Sequence, residues 1–98
     1  MKHTIAFTPS TREDLRFHRK HEQVLVVDAV SERLTHQPGV ETKNRKPMRE
    51  GQISRWELRV EAFRVFYNLD EENRAVEIIA IGKKEHDRLF IRGQEVWP

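Results

Sequence analysis

The chain has 98 residues, enough for one domain built on a single modest core. Charged residues make up 35% and apolar residues 37%, with a mean hydropathy of −0.78, and no apolar run approaches the roughly 18 residues of a membrane span. Cysteine is absent, which removes disulfides and thiolate metal sites, and the opening MKHTIAFTPS has no signal-peptide pattern, so a soluble cytoplasmic domain covering residues 1–98 is expected.

Residues 3–8, HTIAFT, read as an opening strand. Thr8 and Ser10 offer helix N-caps, Pro9 suits a first helical turn, and Ser10 with Glu13 has capping-box spacing, so helix is expected from about residue 10. Between Glu22 and His36, Val24, Val27, Val30 and Leu34 recur at near-helical spacing and predict an apolar stripe, widened by Leu25 and Ala29. Gln37-Pro38-Gly39 ends that helix. His18 and His21 lack further ligands at suitable spacing, so they read as surface histidines; neither a metal nor a cofactor is expected.

Residues 40–54 read as a loop, and its KNRKPMR run places Lys43, Arg45, Lys46 and Arg49 together without an acid. Three strand signals follow. Trp56, Leu58 and Val60 alternate with Arg55, Glu57 and Arg59; Phe63, Val65 and Tyr67 alternate with Arg64, Phe66 and Asn68; after the turn DEEN, AVEIIAIG reads as a more buried strand. The tail LFIRGQEVW has no settled local state. The order predicts an α+β domain, with helices packed on one face of a mostly antiparallel sheet of about four strands.

If residues 55–60 and 63–68 form a hairpin closed by Glu61 and Ala62, Trp56, Leu58, Val60, Phe63, Val65 and Tyr67 share the core face. Arg55, Glu57, Arg59, Arg64 and Phe66 then share the other, with Arg59 directly across from Arg64. Like charges so placed cost up to about one kcal/mol, which Glu57 or an external anion such as phosphate would offset. Glu-Ala is poor chemistry for so tight a turn. The pattern alone also fits an ordinary wet sheet face. Phe66 on the arginine face is a candidate base-stacking residue or a side chain lying under the C-terminal segment.

ETKNRKPMR, WELRVEAFRVFYNLDEE and IIAIGKKEHDRLFIRGQEV, over residues 41–96, resemble the RelE/ParE toxins of bacterial toxin–antitoxin systems, the RelE-like branch in particular. The resemblance implies two N-terminal helices on a small sheet and an antitoxin that wraps the toxin. It further implies one of two activities. The leading one is a ribosome-dependent mRNA endoribonuclease that cuts by metal-independent attack of a ribose 2′-OH on the adjacent phosphate; the alternative is inhibition of DNA gyrase. On the nuclease reading, Arg64 matches the family's phosphate-stabilising arginine, Arg55 stands at a family lysine position and Lys84 where an arginine is common, and Lys43, Arg45, Lys46, Arg49, Arg59 and Lys83 are the expected RNA contacts. Glu57 stands where a lysine base occurs and Phe90 where a tyrosine occurs, so Glu57 as base and His86 as acid form the substitute pair. A catalytically silent module that keeps the fold and the antitoxin contact is a further reading. Oligomeric state is open.

Overall fold

The computed structural model describes residues 2–49 and 53–97. The chain runs β1 (Thr4–Phe7), α1 (Pro9–Arg16), α2 (Lys20–Leu34), β2 (Arg45–Pro47), β3 (Trp56–Val60), β4 (Phe63–Asp70), β5 (Ala75–Glu85), β6 (Arg88–Ile91) and β7 (Gln94–Val96). The α+β class and the helix pair are as expected, but the described residues form a sheet of seven strands rather than about four. Three strands escaped the pattern. β2 is three residues ending in a proline, and β6 and β7 are short strands of the tail closed at Arg92-Gly93. Elements that short carry too little alternation to register in a sequence.

Helix α1 begins where the sequence suggests, though Thr8 and not Ser10 is the cap: its Oγ1 accepts the Thr11 N–H at 3.2 Å, and Pro9 takes the first turn. In α2 the apolar stripe is rotated from the expected one. Val26, Ala29, Val30 and Leu34 are buried with Leu25 partly covered, whereas Val24 is 48% and Val27 37% exposed. The run VLVV is apolar on two sides of the helix, so spacing alone could not choose the inner one. Burying Val26, Val30 and Leu34 contributes on the order of 1.5–3 kcal/mol each.

The sheet order is β2-β3-β4-β5-β6-β7, antiparallel throughout, with β1 joining β5 in parallel. Both helices cover one face. Leu15 and the α2 residues meet Leu58, Val60, Phe63, Val65, Tyr67, Val76, Ile78 and Ile81 in the main core. Tyr67 is wholly buried; its hydroxyl donates to Pro38 O at 2.7 Å, and burial pushes its pKa well above the usual phenol range. That bond ties the end of the helical segment to the sheet.

Strand β5 is the hub. β1 pairs with residues 75–78 on one edge and β6 with residues 83–85 on the same edge, which leaves the intervening backbone without a strand neighbour there. Helix α1 fills the gap with side chains. Thr11 Oγ1 donates to Ile78 O at 2.8 Å, and Asp14 Oδ2 accepts the Ile81 N–H at 3.0 Å. Both residues are fully buried, so these bonds satisfy groups that water cannot reach. Opposite this stretch, the β4–β5 register shifts between Phe66 and Tyr67, a local bulge.

Candidate functional site

The β3–β4 hairpin has the register expected: Trp56 faces Tyr67, Leu58 faces Val65, Val60 faces Phe63, and Arg59 stands directly across from Arg64. Glu61, the first loop residue, takes φ +54, a conformation normally reserved for glycine. Arg64 explains why Glu-Ala serves here. Its Nη1 donates to Glu61 O and to Phe63 O, both at 2.9 Å, so the guanidinium staples the loop closed. Burial, then the nearby Arg59 charge, push the Arg64 pKa down, with Glu57 opposing them. Its Nε is buried with no hydrogen-bond partner. Glu57 sits 3.8 Å from Arg59 and faces Lys46 across β2, so the carboxylate offsets part of the repulsion from within the chain.

Across the sheet, Arg64 pairs with Gly82 of β5, and Lys84 lies two residues further along with its N–H donated to Ala62 O at 2.8 Å. Arg59, Arg64 and Lys84 therefore gather around one hairpin loop. At Gly82 a Cβ would meet Leu89 Cδ1 at 2.7 Å and Phe90 O at 3.0 Å, so the glycine lets β6 close against the sheet beside this cluster.

Other candidate residues are carried elsewhere. Arg55 lies four residues before Arg59, about 13 Å along the strand. It is exposed at the far end of the hairpin, where its backbone N–H donates to Asn68 Oδ1 at 2.7 Å. Glu57 is level with Phe66, which is level with Ala80. His86 occupies the β5–β6 turn at φ +53, six residues beyond Ala80. That puts it about 20 Å further along the sheet and two strands over, so Glu57 and His86 are not brought together. Lys83 faces the helices: its Nζ lies 3.1 Å from Glu22 Oε2 and 5.4 Å from the centre of the Phe63 ring. Arg45 is turned to the core side opposite Leu58, and its Nη1 donates to Arg33 O at 2.8 Å and His36 O at 3.3 Å, closing the C-terminal end of α2. Lys43, Lys46 and Arg49 remain exposed on the connection around β2.

Phe66 is wholly buried and cannot stack a base. It forms a second apolar cluster with Ala80 and Leu89, covered by Met48, Ile53, Ile91 and Val96. The C-terminal hairpin is thus the cover that the sequence offered as the alternative. Phe90 pairs with Lys83, on the face away from Arg64.

Sequence reasoning missed one polar group altogether. Asp14 accepts from Ile81, and its Oδ1 lies 3.1 Å from Arg92 Nε, which pins the β6–β7 turn to α1. Burial raises the Asp14 pKa foremost, against the Ile81 bond, Arg92 and His18. His18 beside it packs edge-on against Phe17 and Phe63, and burial foremost lowers its pKa. A lone aspartate amid TREDLR gives no signal of burial. Only the α1–β5 contact creates the role.

Among the described residues no cluster of three or more histidine, aspartate or glutamate side chains is placed to hold a metal, and no helix is long and apolar enough to cross a membrane. Comparison with known proteins finds no match among curated proteins. The solved RelBE2 toxin–antitoxin complex from Mycobacterium tuberculosis contains a chain that shares the fold at TM-score 0.76 and 24% identity, over 86% of this chain and 93% of that one. The family described as the ParE toxin of type II toxin–antitoxin systems, parDE, matches residues 5–88. Both helices, strands β2 to β5 and all but the first residue of β1 fall within that match, and the chain belongs to this family: it is a toxin of the RelE/ParE group.

Proposed function

We propose that this toxin disables its target by binding it, in the ParE manner of inhibiting DNA gyrase, and that an antitoxin neutralises it. The observation that carries this reading is the separation of Glu57 from His86. Cleavage by 2′-OH attack needs a base for that hydroxyl and an acid for the departing 5′-oxygen on either side of one phosphate. Here the substitute pair lies about 20 Å apart along the sheet. Phe90 has no hydroxyl to contribute, and Arg64 already donates to two loop carbonyls. The family match supports the toxin assignment, and the antitoxin in the RelBE2 complex supports an antitoxin partner.

A second reading is favoured by one feature, the grouping of Arg59, Arg64 and Lys84 around the hairpin loop. Three cations there suit an RNA phosphate, with Lys43, Lys46 and Arg49 as further backbone contacts, as in a ribosome-dependent mRNA endoribonuclease. The two readings separate in purified systems. Under the first, the toxin blocks supercoiling by gyrase at near-stoichiometric ratios and leaves transcript ends unchanged in a translating extract. New 3′ ends within ribosome-bound messages, abolished by Arg64→Ala, together with undisturbed supercoiling, would overturn the first and establish the second. Co-expression with the product of a neighbouring antitoxin gene is expected to restore growth in either case.

A further inference from the structure

The exposed side of α2 carries two features that the toxin activity does not use. Val24 and Val27, one turn apart, are 48% and 37% exposed, although both core clusters are complete without them. Charge on the same side is segregated by height. Lys20 and His21 stand at the N-terminal end, and Asp28 and Glu32 stand toward the C-terminal end. All four are exposed, and none of them has an ion-pair partner among the described residues.

An apolar middle between opposite charges is self-complementary when two such helices meet antiparallel about a two-fold axis. We propose that this face of α2 docks against α2 of a second copy of the chain. The register follows from the helix itself. With Val24 facing Val27 of the second copy, and the reverse pair formed by symmetry, Lys20 comes level with Ser31 of the other helix. Its ammonium then lies within reach of Glu32 and Asp28 there. His21 falls on the flank that also carries those two carboxylates. Valine is small, so the helix axes can approach to about 8–10 Å. One helix face is well short of the roughly 1,200 Å² that a standard interface buries, so association is weak and concentration-dependent. Charge decides the occupant: a second copy matches both ends of the face, whereas a uniformly acidic segment would match only the Lys20 end.

Sedimentation of the full chain from about 1 to 500 µM tests the idea. The expected result is a monomer–dimer equilibrium that Lys20→Glu and Glu32→Lys each weaken several-fold and that the Lys20→Glu/Glu32→Lys double variant restores to within about two-fold. The chain has no cysteine, so Val24→Cys and Val27→Cys variants can be mixed in a glutathione buffer. The mixed disulfide should then form in clear excess over the two-to-one ratio to each symmetric one that random pairing of equal amounts would give. A strictly monomeric protein, a dimer indifferent to both charge reversals, or no preference for the mixed disulfide would overturn the proposal. So would α2 becoming protected only when an antitoxin is bound, since the face would then belong to that partner. None of these readouts depends on whether gyrase or RNA is the target.

Discussion

Arg64 shows how one residue can serve two ends. A guanidinium that donates to Glu61 O and Phe63 O offsets the left-handed geometry of Glu61, and the same group supplies positive charge beside Arg59 and Lys84. Replacing it by alanine removes two charge-assisted bonds, so Arg64→Ala is expected to lose about 1.5–3 kcal/mol in chemical denaturation whatever it does to toxicity. Glu61→Gly should do the opposite. Glycine adopts positive φ without a side-chain clash, and a gain of about 0.5–1 kcal/mol is expected by the same measurement. An unchanged Arg64→Ala stability would mean that the staple contributes nothing and that the side chain is held for its charge alone.

At the scale of elements, β5 joins everything else. Its middle lacks a strand on one edge, and α1 takes that place through Thr11 and Asp14. Asp14→Ala would strand the buried Ile81 N–H and release Arg92, so a loss of about 1–3 kcal/mol is expected, with hydrogen exchange rising at Ile81 and across the β6–β7 turn. Asp14→Asn keeps an acceptor for Ile81 and should lose less. The C-terminal hairpin depends equally on Gly82, where any Cβ presses on Leu89 and on the Phe90 carbonyl. Gly82→Ala should cost about 1–3 kcal/mol by overpacking. Faster exchange confined to residues 88–96 would place that strain in the hairpin rather than in the main core.

For the whole molecule, acid should act chiefly through the α1–β5 junction. His18 is surrounded by Asp14 of α1, Glu22 of α2 and Lys83 of β5, with Arg92 of the β6–β7 turn bound to Asp14. Its native pKa lies below the ordinary 6.5, so the unfolded chain binds its proton first. Its contribution is complete above about pH 6.5 and is lost as pH falls through the lowered native value. Asp14 has the opposite sign. Its native pKa is raised above 3.8, so its contribution is greatest below that value and fades as pH rises through the raised one. As pH drops through about 6.5, where the unfolded chain takes up the His18 proton, denaturation midpoints should therefore fall for the natural chain, with Asp14 opposing the fall further into acid. His18→Gln should flatten the fall, and an identical slope in that variant would shift the cause to another group.

Period-two alternation, read with the neighbouring hairpin parity, determined which residues of β3 and β4 face the core and that Arg59 opposes Arg64, because side-chain direction in a strand follows from local geometry alone. The same local rules located α1, α2 and the break at Gln37-Pro38-Gly39. They could not choose between the two apolar sides of α2. They also gave no sign of the strands β2, β6 and β7, which are only three or four residues long and carry too little alternation to stand out. The site followed the same division. Which residues are charged was legible, but whether Arg55 and His86 reach Arg64 and Glu57 depends on the register of three strands. Only the folded sheet sets that register, through long-range hydrogen bonds and the packing of Phe66 beneath the C-terminal hairpin.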